Sequence, residues 1–475
     1  MTMSLGMAPG ANAIESSALM QSAEAQVGGE LADPRTSQPD PYASHLADVN
    51  DSREVIAIED ILTPRGQLLV RKHGRIDHAC AQRLLEHRLQ YPLEAQVKLK
   101  NAFDRSAWLD EYSAFLVGHG DIQTAQQQLQ FGAEFQALIQ NMRLPDIISQ
   151  KMTVMKLRLP EQFQRALFSS WLAALMAREM GLDKDEIHAA FIAGLTHDIG
   201  FLHISPAVLN SQAEASVNDW REIQSHVVIG ERVLRGHREL PASVPRAVLE
   251  HHERCDGTGY PAAKEESDLS VLGQIVAMAD ALQALRMGSF AKTGRNLRDA
   301  LPFLRLNSNT HFYDTYRAVV DVLRKSGLEP TPVRHPSGSS HAIPQLMFRI
   351  DNLKQAVNAM GGIVRLLRGV QIGPKGRIAL RAFNQVLACV TSSGMVRDEL
   401  LGWVELIGDD VEDAVVLEIN EIELMQNELV WQISSAQRTF NAFLERECNA
   451  DSGLQSKLRM YNEQLRESQG NLSRH

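Results

Sequence analysis

Along most of this chain the apolar positions recur at intervals of three and four. Between residues 105 and 330 the pattern is carried by sets such as Leu172, Leu175, Met176 and Met180, with Gly181 following as a stop signal. That period puts apolar side chains on one face of an α-helix, and no run of alternating positions interrupts it. Further on, Val411, Val415, Ile419, Ile422, Met425, Leu429, Ile433, Ala436, Phe440 and Phe443 form one continuous stripe. It predicts a long amphipathic helix. Such a stripe serves either a bundle within the chain or a dimerising or partner-binding helix, because periods of 3.5 and 3.6 do not separate over this length.

The pattern changes toward the N-terminus. Val55-Ile56-Ala57-Ile58 and Leu68-Leu69-Val70 read as short strands, Thr63-Pro64-Arg65-Gly66 as the turn between them, and Ala79 to Leu89 as a short helix. Residues 1–52 are rich in Ala, Ser, Gly and Pro and are expected to be a disordered tail. From Leu328 to Pro344, four prolines and the stretch Ser337-Gly338-Ser339-Ser340 mark a linker. The expected fold is mainly α. A tail (1–52) leads into a small N-terminal α+β module (53–100), then a central helical domain (105–328), a linker (329–344) and a C-terminal helical region (345–475).

The chain has 475 residues, 44% of them hydrophobic, and a net charge of -10. This charge argues against broad nucleic-acid or anionic-membrane binding, which needs a basic face. No apolar run approaches the length of a membrane span. The first basic residue is Arg35, so no charged region precedes an apolar core as in an export signal. Cys80, Cys255, Cys389 and Cys448 are scattered and read as free thiols. The expectation is a cytoplasmic protein with no nucleic-acid or membrane partner.

The chemistry concentrates in a few places. His197-Asp198-Ile199-Gly200 ends an apolar helix. His226 opens a second apolar segment, and His251-His252-Glu253-Arg254-Cys255-Asp256-Gly257-Thr258-Gly259-Tyr260-Pro261 follows a third. Asp280 lies inside the apolar run from Ile275 to Leu282, where a carboxylate needs a hydrogen-bond donor or a cation. Singly, each of these fits a structural role. Jointly, they supply the imidazole and carboxylate ligands that suit more than one divalent metal.

A His-Asp pair, a later histidine, the HHExxDGxGYP element and an aspartate in an apolar helix resemble the HD-GYP family of metal-dependent phosphodiesterases. The resemblance covers residues 160 to 285. It implies an HD-type helical bundle and two or three divalent ions, iron or manganese first and zinc as an option. It also implies cyclic di-GMP or a related nucleotide as the molecule bound. His197, Asp198, His226, His251, His252 and Asp280 match its ligand positions, with Asp198 bridging two metals at the catalytic centre. Glu161 matches an additional glutamate ligand, although a glutamate in a first helical turn is common for reasons of charge alone.

Two departures bear on activity. Where the family places a further histidine ligand, this chain has Arg165, which has no lone pair to offer a metal. It could hold a substrate phosphate, or pair with Asp198 or Asp280. After the His-Asp-Ile-Gly element the family has a lysine for the substrate phosphate, and this chain has Phe201. The stretch from Ala262 to Asp268 is acidic on balance, and Gln274 and Gln283 stand where arginine and aspartate are common. Arg286 and Lys292 remain as sources of positive charge for a substrate. The expectation is a bacterial signalling protein of the HD-GYP type in which Arg165 and Phe201 reduce hydrolysis. The alternative is a non-catalytic module acting through nucleotide binding or through its C-terminal helices, as a homodimer or with a protein partner.

Overall fold

In a computed structural model of the chain, the described residues are 40–210, 217–308, 310–334, 339–407, 411–446, 448 and 452–472. They fall into two units. One takes in the residues from 40 to His252 together with Ser270–Gln283; the other takes in Glu253–Leu269 and the residues from Ala284 onward. Both are built mainly of helices, with four short strands confined to the N-terminal module.

The first unit is organised on the helix Pro160–Glu179. Proline at its start suits the fixed φ of a first helical turn, and Gly181, at φ +74°, ends it as the sequence predicts. From Arg165 to Ala177 every residue is buried. The next helix, Lys184–Thr196, starts with a capping box: Asp183 accepts from the Asp185 and Glu186 amides while Glu186 returns a bond to the Asp183 amide. The two helices pack backbone to backbone. A Cβ on Gly194 would lie 2.6 Å from the Ser169 carbonyl oxygen, so only hydrogen fits there. That contact fixes the end of the second helix, where His197 and Asp198 stand, against the helix carrying Arg165.

In the N-terminal module Val55–Ala57 pairs antiparallel with Val97–Leu99, and Ile61–Leu62 with Leu68–Val70. The two strands expected from sequence are present, but they are not partners. The Thr63–Gly66 turn is closed by the Thr63 amide on the Gln67 carbonyl, which pairs its own immediate flanks and leaves Val55–Ala57 to a distant strand. The helix His78–Leu85 stops short of Leu89. Beyond it the Gln90 amide bonds the Leu62 carbonyl, drawing the chain away.

The segment assigned to the tail needs correction. Tyr42–Asn50 is a helix, with Tyr42, Ala43, Leu46, Ala47 and Val49 buried. The composition of the whole segment hides these apolar positions. Residues 1–39 lie outside the described residues. Beside this helix Asp40 accepts a 2.7 Å bond from His203 Nδ1, and Lys151 Nζ donates to His203 Nε2 at 2.8 Å. Lys151 is fully buried, 3.8 Å from Glu94 and over the Tyr42 ring. A buried ammonium needs such neighbours.

The second unit contains the long helices Ser339–Leu367, Pro374–Ser393, Asp413–Arg446 and Ser452–Leu472. Ile419, Ile422, Met425, Leu429, Ile433, Ala436, Phe440 and Phe443 are all buried in its core, with Val415 packed at the edge. The stripe read from sequence is therefore used within the unit. Ser339–Leu367 begins inside the expected linker, with Pro344 in its second turn; residues 335–338 lie outside the described residues. Among the described residues, no helix is long and apolar enough to cross a membrane.

Candidate metal centre

Three helix ends and the interior of a fourth helix converge in the first unit. His197 and Asp198 follow Lys184–Thr196, His226 opens His226–Leu234, His251 and His252 follow Ser243–Glu250, and Asp280 comes from Val271–Leu285. Gly200 shows why the approach is this close. A Cβ there would meet the His226 carbonyl oxygen at 2.0 Å and the Gly230 nitrogen at 2.9 Å. The turn after Asp198 thus rests directly on the backbone that presents His226.

The histidines are oriented by one repeated device. His197 Nδ1 bonds the Gly194 carbonyl at 2.8 Å, His226 Nδ1 the Ile223 carbonyl at 2.7 Å, and His251 Nδ1 the Val248 carbonyl at 2.6 Å. A carbonyl only accepts, so each Nδ1 carries the proton and each Nε2 turns inward. The Nε2 atoms of His226 and His251 face each other at 3.4 Å. Asp198 Oδ1 lies 3.6 Å and 3.8 Å from them.

Asp198 divides the centre. Its Oδ1 faces His226 and His251. Its Oδ2 faces His197 Nε2 at 3.2 Å and Arg165 Nε at 3.9 Å. Neither oxygen makes an aligned hydrogen bond, and the residue is 1% exposed. Asp280 Oδ1 lies 3.5 Å from His197 Nε2 and accepts a 2.6 Å bond from Arg165 Nη2. Two groups of ligand-capable residues result: Asp198, His226, His251 and His252, and His197, Asp198 and Asp280, the atoms of each group lying within 4.8 Å of one another.

The electrostatics separate the two groups. Burial holds His226 and His252 below the usual imidazole range and pushes His251 down to about 3, helped by the neighbouring imidazoles. Burial thus keeps these three rings neutral. Burial also works against a charge on His197, but Asp198 and Asp280 outweigh it and raise that group to about 10. Both carboxylates stay ionised despite burial, Asp198 chiefly through His197 and Asp280 chiefly through Arg165. Facing lone pairs on His226 and His251, beside a buried carboxylate oxygen without an aligned donor, fit a divalent cation.

The remaining sequence candidates divide between the centre and its surroundings. Glu161 is exposed in the first turn of its helix and belongs to neither ligand group, as the capping role of such a glutamate would have it. Arg286 opens the π-helical turn Arg286–Phe290 and is half-buried. Arg165 is 3% exposed and bonded to carboxylate, the second of the two uses left open for it. Phe201 stacks flat on His226, with ring centroids 4.2 Å apart. Gln274 and Gln283 are buried.

The glycine-rich element forms a loop shaped by its own carboxylates. Glu253, 1% exposed, accepts from the Ala262 amide at 2.6 Å and the Lys264 amide at 3.0 Å. Asp256 accepts from the Thr258 amide, and Gly257 turns the chain at φ +70°. The sequence places Glu253 within the motif without assigning it a partner. The spacing of nine and eleven residues to its partners gave no local signal.

The HD domain family model matches residues 139–316. This chain carries an HD domain of the HD-GYP type. A cyclic di-GMP phosphodiesterase of Pseudomonas aeruginosa is 32% identical to it over 130 residues, covering 27% of this chain and 31% of that protein. A cyclic di-GMP phosphodiesterase of Thermotoga maritima is 28% identical over 180 residues, covering 36% and 48%. A 3'3'-cGAMP-specific phosphodiesterase of Vibrio cholerae is 31% identical over 138 residues, covering 29% of each chain. The alignments thus span less than half of each relative, and the chain extends well beyond the HD domain on both sides.

Proposed function

We propose that the HD domain is a metal-dependent phosphodiesterase that opens a cyclic dinucleotide, cyclic di-GMP first, as part of a cytoplasmic signalling protein. One observation carries the reading. One ligand atom each of Asp198, His226, His251 and His252 lies within 4.8 Å of the others, and backbone carbonyls lock the rings of His226 and His251. The relatives that act on cyclic di-GMP and on 3'3'-cGAMP support the substrate class. Iron or manganese suits this mixture of imidazole and carboxylate, with zinc as an option.

A bound ion would supply a water of lowered pKa and charge to offset the phosphate. The chain's own part is to hold it. His226, His251 and His252 offer nitrogen, and Asp198 offers an oxygen to each side of the centre. The Nδ1 bonds to Ile223 and Val248 keep the imidazoles from rotating.

A second reading, nucleotide binding without turnover, is favoured by one observation: the ring of Phe201 stands on His226 where the family has a cation for the phosphate. The test is hydrolysis of cyclic di-GMP and of 3'3'-cGAMP by the purified chain loaded with iron or manganese without oxygen. Linear dinucleotide that vanishes on Asp198→Ala is the expected result. Retained turnover in Asp198→Ala would sink the assignment of this centre. Nucleotide bound but intact would support the second reading.

A further inference from the structure

The two halves of the centre share Asp198 but differ in what already occupies them. The half made by Asp198 Oδ1, His226, His251 and His252 gathers a carboxylate oxygen and imidazole nitrogens. The half made by His197, Asp198 Oδ2 and Asp280 contains a guanidinium. Arg165 Nη2 is 2.6 Å from Asp280 Oδ1, and its Nε is 3.9 Å from Asp198 Oδ2. Arginine stays protonated at any working pH and offers donors only. Its side chain is buried, and its helix is locked against the next one by the Gly194–Ser169 contact. It has no solvent to retreat into. A dication placed on the same two carboxylates would sit a few ångström from a fixed positive charge, in an interior that screens poorly.

We propose that Arg165 is the resident cation of the His197–Asp198–Asp280 half, and that the chain binds a single divalent ion, on Asp198, His226, His251 and His252. The proposal rests on the metal-dependent reading above and narrows it. One metal position is replaced by a side chain that neutralises the same carboxylates without binding water. Asp198 then links a metal to an arginine rather than a metal to a metal.

The experiment is a metal count on the full chain. The protein is stripped with chelator, reloaded with manganese(II), desalted and analysed by mass spectrometry of the metal, with electron paramagnetic resonance on the same sample. The expected result is one ion per chain with the spectrum of an isolated manganese. That ion is lost in His226→Ala and kept in His197→Ala. Arg165→His is expected to take up two ions and give an exchange-coupled spectrum. Two ions per wild-type chain, or a coupled spectrum in it, would overturn the proposal while leaving the metal-dependent reading intact. So would a single ion lost in His197→Ala and kept in His226→Ala. No ion in the wild type or in Arg165→His would overturn the metal-dependent reading itself. The wild-type count decides the matter even if Arg165→His fails to fold.

Discussion

Phe201 lies on the imidazole of His226, with ring centroids 4.2 Å apart and planes 10° from parallel. Phe201 is 1% exposed, so this face of the ligand is sealed by an apolar ring. Stacking of this kind fixes the plane of the imidazole and contributes about 0.5–1.5 kcal/mol. Phe201→Leu keeps the volume and loses the stack. We expect a 10- to 100-fold weaker affinity for manganese, on the order seen when supports of a metal ligand are removed. Calorimetric titration checks this, and an unchanged affinity would show that the ring only fills space.

Gly200 gives a sharper prediction. Its missing Cβ would lie 2.0 Å from the His226 carbonyl oxygen, a backbone atom that cannot rotate away. Gly200→Ala must push the His226 helix outward, at a cost of about 3 kcal/mol or more. Both melting temperature and metal affinity should fall. Gly402, in the helix Asp398–Glu405, has nothing within 4 Å of its Cβ position. Gly402→Ala should raise stability by roughly 0.5–1 kcal/mol. Similar effects at the two sites would refute the contact argument.

The site was legible in the sequence for a physical reason. Apart from Asp280, the candidate ligands stand at helix ends, and each end carries its own local signal, such as the pair His197-Asp198 or the run from His251 to Pro261. Secondary structure was legible where the period was long, as in the stripe of Asp413–Arg446. Pairings between distant segments were not. Arg165 meets Asp280 across 115 residues, a pair the sequence offers only as one option among several, and His203 meets Asp40 across 163 with no periodic trace. The helix Tyr42–Asn50 was hidden because its buried Tyr42, Leu46 and Val49 sit in a segment otherwise rich in small residues.

Acid should loosen the N-terminal helix through His45. That ring is 3% exposed and neither nitrogen is hydrogen-bonded. Burial, reinforced by Arg158, pushes its pKa down to about 4. The unfolded chain takes up the proton near pH 6.5 and the folded chain resists it. Its contribution to stability is therefore complete above pH 6.5 and is lost as pH falls toward 4. The slope is at most about 1.4 kcal/mol per pH unit. Melting temperatures of His45→Leu should vary less over that window than those of the wild type. Parallel profiles would place the acid sensitivity at other groups.

The loop from Glu253 to Leu269 should depend on its internal carboxylate. Glu253 holds the Ala262 and Lys264 amides, and bonds to a charged acceptor contribute about 1.5–3 kcal/mol each. In Glu253→Ala those two amides should exchange with deuterium at least ~10-fold faster, since 1.4 kcal/mol corresponds to that factor. Protection unchanged at both positions would mean that the loop is held by other contacts.

The Lys151–His203–Asp40 chain has a consequence for domain transplants. Asp40 and Glu94 come from the chain before the matched HD domain, while Lys151 and His203 belong to that domain. A recombination that joined this HD domain to another module would strip two carboxylates from around a buried ammonium and imidazole. A transplant of this HD domain onto another front end is therefore expected to fold only with Lys151 replaced or given new carboxylate partners.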